Sequence, residues 1–299
     1  DMGYATYHLA MIETKTQVYS QTVRSSARLD YRTGQATRLT DPNGNHSEAI
    51  FDEMGLVIAT AVSGKNGEGD SLASYQYTPY PDQDMRAAMY ADPHAYLQGA
   101  TAFFYYDLNA WQRDGQPNHA LGIVRETHVA DENGAPTKTQ ISFSYSDGFG
   151  QAIMVKVQAE LGYAFRIENG AVVNADPRCV GNGRTVFDNK GNPVKQYEPY
   201  FSHSYGYETE RELVEYGVSP VLHYDPLGRN IRTDLPDGTF TKVEFTPWEQ
   251  RSWDQNDTIL APGNTWYAEK SVSSNIYETR AATLTAAHAN TPKEEHLDT

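Results

Sequence analysis

Apolar and polar positions alternate with a period of two through most of this chain, and turn residues cut the alternation into short runs. The clearest instance lies at 221–240. Val221-Leu222-His223-Tyr224 is followed by Asp225-Pro226-Leu227-Gly228-Arg229, then by Asn230-Ile231-Arg232-Thr233 and a second turn, Pro236-Asp237-Gly238. Leu222, Tyr224, Val243 and Phe245 can share one face while charged neighbours take the other, as half-buried strands require. In the first turn the Asp side chain can accept backbone N–H groups, Pro presets φ and Gly supplies a positive φ. Strand, turn, strand is the unit.

Further turns are expected at Asp30-Tyr31-Arg32-Thr33-Gly34, Asp41-Pro42-Asn43-Gly44, Asp131-Glu132-Asn133-Gly134 and Asp147-Gly148-Phe149-Gly150. Residues 1–30 read as strands, and a hairpin is expected around Glu168-Asn169-Gly170. The alternation fails in a few places. Residues 63–71 form a polar loop, and Pro79, Pro81 and Pro93 flank a short helix at 85–90. Polar loops fall at 112–120 and 254–265, an acidic Tyr-rich stretch with a helical turn at 208–215 occupies 202–217, and 277–289 has helical spacing. The domain expectation is one segment, 1–299, with an irregular insertion at about 63–120 and a helical insertion at about 268–290.

Internal repeats set architecture, and the turns of this chain repeat. Asp-x-x-Gly with an aromatic just before it occurs four times: Phe51-Asp52 with Gly55, Tyr145 and Asp147 with Gly150, Phe187-Asp188 with Gly191, and Tyr224-Asp225 with Gly228. Spacings match as well. Gly44 to Phe51 and Gly238 to Phe245 are both seven positions, and Asp30 to Phe51 and Tyr224 to Phe245 are both 21. Phe245-Thr246-Pro247-Trp248 is then a degenerate copy that has lost its turn glycine.

At these residues the chain resembles a known family. The aromatic-Asp-x-x-Gly-Arg unit, complete at Tyr224-Asp225 to Gly228-Arg229, is similar to the YD repeat of RHS proteins. Phe143-Ser144-Tyr145-Ser146-Asp147-Gly148-Phe149-Gly150, Lys195-Gln196-Tyr197-Glu198-Pro199-Tyr200-Phe201, Trp253-Asp254-Gln255-Asn256-Asp257-Thr258 and Ala286-Ala287-His288-Ala289-Asn290-Thr291-Pro292 resemble the RHS-containing C-terminal part of the B component (TcB-like) of insecticidal toxin complexes. The resemblance runs from about residue 30 to the end and is least distinctive over 60–120. It implies an all-β fold of antiparallel YD-repeat hairpins forming a curved, spiralling sheet, a segment of a hollow shell, with one or two short helices. It also implies a function: the shell, closed by a C component, encloses a cytotoxic C-terminal cargo before translocation. The remaining partner would be the membrane-inserting A component, reached through other parts of the chain. Both ends read as cut: Asp1 is not a natural start, and the family's chain would continue past Asp298-Thr299 with Leu-Gly-Arg. Export as part of a large toxin complex is implied too. Within the family an aspartyl self-cleavage site closes the C component's core; Asp225-Pro226-Leu227-Gly228 has a similar look, but Arg229 and a full further unit follow it.

Composition narrows the picture. The chain carries 21 Tyr against 10 Phe, suiting sheet faces with a ring inward and a hydroxyl at water. A formal net charge of −15 and no clustered Lys/Arg argue against nucleic acid or an anionic membrane surface as a partner. Its single cysteine, Cys179, excludes an intrachain disulfide. No HExxH, GxSxG, P-loop or CxxC pattern occurs, the nine His lack ligand spacing, and His288 and His296 stand isolated. Turns account for Asp52, Asp147, Asp188 and Asp225. No catalytic residue, metal or cofactor is therefore expected. Two other functions stay open: a cell-surface or polymorphic-toxin YD module stacking sugars on Trp111, Trp248, Trp253 and Trp266, and a β-rich glycoside hydrolase with a carboxylate pair brought together only in space.

Overall fold

A computed structural model describes residues 2–4, 10–165, 172–209 and 219–289. The hairpin expected around Glu168-Asn169-Gly170, most of the helical turn at 208–215 and the end of the chain, His296 included, lie outside the described residues. The chain is mostly antiparallel β-sheet with a few short helices. It divides into two compact units: 1–163 with 174–180 and 203–207, and 164–173 with 181–202 and 208–299.

The first unit is a meander. Strands β1 (Met2–Tyr4), β2 (Met11–Val18), β3 (Gln21–Asp30), β4 (Gln35–Thr40), β5 (His46–Phe51), β6 (Val57–Ser63), β7 (Ala102–Asp107), β8 (His119–Arg125), β9 (Thr139–Ser146) and β10 (Ala152–Gln158) pair antiparallel in chain order. Register builds its core in rows. Ala59, Phe103, Ile123 and Ile141 lie side by side across β6–β9. Tyr105, Leu121, Phe143 and Lys156 make a second row across β7–β10, and Asp107, His119, Tyr145 and Met154 a third. Every one of these residues is buried, while Gln140, Ser142 and Ser144 between them on β9 are less so. Period-two patterning thus selects one covered face.

The cover comes from the stretches that broke the alternation. Helices α1 (Arg86–Ala91) and α2 (Pro93–Leu97) bury Met89 and Leu97. Tyr80 packs edge-on against Phe103 and Tyr105, and Tyr205 stacks on Phe143 with ring centres 5.2 Å apart. One sheet face is therefore filled at β7–β10 by residues from both irregular stretches. Strands β2–β5 differ: none of their residues is buried, so neither face carries a core. A third helix, α3 (Ala110–Asp114), sits where a polar loop was expected. Five residues are too few for a 3.6-residue period to register.

The second unit holds the remaining strands. These are β11 (Gly162–Phe165), β12 (Val172–Ala175), β13 (Cys179–Gly181), β14 (Thr185–Phe187), β15 (Pro193–Gln196), β16 (Tyr200–Ser202), β17 (Val221–Tyr224), β18 (Asn230–Asp234), β19 (Phe240–Phe245) and β20 (Gln250–Trp253); the first three begin in or extend into the first unit. β14–β15 is an isolated hairpin, and β17–β20 form a four-stranded antiparallel sheet. Helices α4 (Trp266–Ser271) and α5 (Ile276–Ala289) follow, the second matching the helical spacing at 277–289. Phe240, Ile259, Ala282 and Ala286 are buried in this unit.

Candidate functional site: a series of aspartate turns

The repeat is one local geometry. At Asp41, Asp52, Asp147, Asp188 and Asp225 the Asp N–H donates to the carbonyl four residues on, and the glycine N–H three residues on donates back to the Asp carbonyl. In each, the carboxylate Oδ1 accepts the N–H groups two and four residues ahead, at 2.8–3.0 Å. The glycines Gly44, Gly55, Gly150, Gly191 and Gly228 all have φ between 79° and 87°. This is a three-residue hairpin loop, a type I turn closed by a left-handed glycine and a bulge. Beside Phe51, Phe187 and Tyr224 the strand register shifts, so the repeat's aromatic sits at the bulge.

Two further turns make the same backbone bonds without the aspartate. Gly64 takes its place in the loop closed by Gly67, and Leu235 in the loop closed by Gly238. In the latter the carboxylate has moved to Asp237, which accepts from the Thr239 N–H and hydroxyl. Sequence reasoning missed Asp41 as a member because Thr40, not an aromatic, precedes it.

Position four after the aspartate completes the cap. Asn45, Asn192 and Arg229 each send a side-chain donor to Oδ2 of their own Asp. Asp41, Asp188 and Asp225 are accordingly held below the ordinary carboxylate pKa, by the backbone N–H of Asn45, the side chain of Asn192 and the backbone N–H of Arg229 first in each case. Arg229 also lies over the Phe245 ring at 4.3 Å, so the arginine of one unit packs on the aromatic of the next. Neighbouring turns touch in both units. Lys190 donates to the Pro226 carbonyl and Tyr224 to that of Pro193, while Arg32 reaches the Glu53 carbonyl and Gln35 that of Gly55.

Tyr145 serves differently from the other repeat aromatics. It is fully buried; Arg86 donates to its hydroxyl at 2.9 Å, and the hydroxyl donates to the Tyr205 carbonyl. Asp84 grips Arg86 at 2.8 Å. Beside them His119 Nδ1 faces the Pro117 carbonyl at 3.3 Å, while Nε2 has no hydrogen-bond partner among the described residues and lies 3.9 Å from Asp107. Burial, and then the Arg86 charge, press the His119 pKa down. No group of three or more His, Cys, Asp or Glu among the described residues is placed to hold a metal ion, and no described helix is long and apolar enough to cross a membrane. The four tryptophans occupy separate settings. Trp248 at the β19–β20 turn and Trp111 on α3 are 90 % and 67 % exposed, whereas Trp253 lies beneath Lys242 and Trp266 opens α4.

No protein-family model matches the chain, and no curated protein matches it in sequence. Solved structures do. A crystal structure of TcdB2–TccC3 superposes on 89 % of the chain with a TM-score of 0.64 at 24 % identity. The chain shares the fold of that stretch of TcdB2–TccC3. A second structure, TcdB2–TccC3–TEV, covers 93 % of the chain at a TM-score of 0.65 and 22 % identity. The Photorhabdus luminescens Tc holotoxin pore, with a TccC3 substitution, covers 92 % at 0.64 and 19 % identity. The chain spans 13 % of the first TcdB2–TccC3 chain and 15 % of the other two.

Proposed function

We propose that this chain is a non-enzymatic wall section of a toxin-complex shell, in the manner of a TcB-like RHS protein, that helps enclose a cytotoxic C-terminal cargo before translocation. The carrying observation is the likeness in fold to TcdB2–TccC3 over 89 % of the chain, reinforced by one turn geometry recurring at five aspartates. Turns that lock each hairpin and touch their neighbours suit a wall, because each unit buries its face only against the next. In this reading the partners are a C component that completes the shell, the enclosed cargo and, through other parts of the assembly, the membrane-inserting A component. Export follows from that assembly. Catalysis is not part of the reading: Asp52, Asp147, Asp188 and Asp225 are engaged in turns, and the Asp225 carboxylate beside Pro226 already accepts two backbone N–H groups.

A chimera tests it. The matched segment of TcdB2–TccC3 is replaced by this chain, and the assembled product is treated with protease. Protection of the TccC3 C-terminal segment supports the wall reading. A chimera that assembles, by gel filtration and electron microscopy, yet leaves that segment open to digestion overturns it. The exposure of Trp248 favours a second reading, a sugar-binding YD module. Saturable quenching of tryptophan fluorescence by oligosaccharides, abolished in Trp248→Ala, would establish that alternative.

A further inference from the structure

The first unit contains a cavity of about 280 Å³ walled by tyrosines and edged with carboxylates. Tyr80 stands in the middle of the wall. Its ring centre is 5.7 Å from that of Tyr105 and 6.2 Å from that of Tyr77, with the planes at 82° and 75°, so each pair packs edge to face; Phe103 and Tyr96 adjoin it as well, at 6.1 and 5.7 Å. Tyr106 lines the same space, as do Asp52, Asp82 and Asp107. Burial pushes the Tyr80 phenol up to about 12, so it is uncharged at neutral pH and its face keeps the negative potential of an aromatic ring.

Charge around the cavity is unbalanced. Arg113 binds Asp107 at 2.6 Å, and also Asp82 and Asp114, both at 2.8 Å. One guanidinium thus serves three carboxylates, while Asp52 and the nearby Glu53 add further negative charge; both act electrostatically on Tyr77. The turn explains Asp52 and Arg113 explains Asp107. Neither explains the open space beside the tyrosines, and Asp82, though paired with Arg113, keeps its side chain 61 % exposed at the edge of that space.

We propose that this pocket binds an organic ammonium group among the tyrosines that line it, Tyr77, Tyr80, Tyr105 and Tyr106, attracted by Asp52 and Asp82. Aromatic rings attract cations that shed water easily, so a tyrosine-lined pocket edged with carboxylates suits methylated or alkyl ammonium groups better than a strongly hydrated metal ion. The volume lies just below the usual range of ligand pockets, roughly 300–1,000 Å³, and so fits a small head group. The group could be carried by a free quaternary amine or by a lysine side chain, a difference the test resolves.

The chain is titrated with choline, with the uncharged carbon isostere of choline, with Nα-acetyl-lysine methylamide and with Mg²⁺, at constant ionic strength, and binding is read by calorimetry and by tyrosine ring chemical shifts. Choline or the lysine amide binds saturably, and the isostere of choline binds roughly tenfold more weakly or not at all. The tighter of the two amines identifies the carrier. Tyr77→Leu and Asp82→Asn each weaken the amine roughly three- to tenfold, with circular dichroism and melting temperature unchanged. Isostere binding equal to that of choline, no saturable response to either amine, Mg²⁺ binding at the same shifts in preference to both, or full affinity in folded Tyr77→Leu would each overturn the proposal.

Discussion

Gly148 and Gly150 stand two residues apart in one turn and isolate what a repeat glycine does. Gly150 has φ +80° and open space around a notional Cβ; Gly148 has the same open space without a positive φ. Gly150→Ala should therefore destabilise the protein by about 1–2 kcal/mol through backbone strain alone. Gly148→Ala should be neutral or slightly stabilising, and urea midpoints read both. The turn aspartates make a pH prediction. Asp41, Asp188 and Asp225 have folded-state pKa values below their unfolded ones, so their contribution is fully present above about 4 and is lost as pH falls through the folded values. Urea midpoints should drop on acidification through that window. Asp225→Asn, which keeps an acceptor but cannot titrate, should flatten the drop. A steeper fall in the variant would contradict the capping role.

Among elements, the aspartate turns were legible because their chemistry is local: four residues carry the donor, the acceptor and the positive φ. The covering of β7–β10 was not, since Tyr80, Tyr96, Tyr205 and Tyr207 reach it from distant stretches that read only as breaks in the alternation. Nor did Tyr145 announce itself. In sequence it is one more repeat aromatic, whereas in the fold it is the buried acceptor of Arg86. Tyr145→Phe should cost about 1–3 kcal/mol, because it strands the Arg86 donor and the Tyr205 carbonyl; a change under 0.5 kcal/mol in thermal unfolding would show the network to be dispensable. The uneven core has a measurable consequence. Central amides of β7–β9 should exchange with deuterium orders of magnitude more slowly than those of β2–β4, where no residue is buried. Equal protection would refute that division.

At the scale of the whole molecule, a net charge of −15 at pH 7 should hold the protein on an anion exchanger and keep it off duplex DNA at about 0.15 M salt. A mobility shift with DNA under those conditions would count against it. Sequence by itself determined the all-β class, the hairpin unit and the aspartates that cap it, since alternation and turn chemistry act over a few residues and survive in one dimension. It left the chain as one repeat segment. Only the tertiary structure decided that two compact units form, that the irregular insertion roofs one stretch of sheet while β2–β5 stay bare, and that Tyr77, Tyr80 and Tyr105 meet around a cavity edged by Asp52 and Asp82. Those outcomes depend on pairing residues tens of positions apart. Such contacts follow from strand register and volume, which no local pattern encodes.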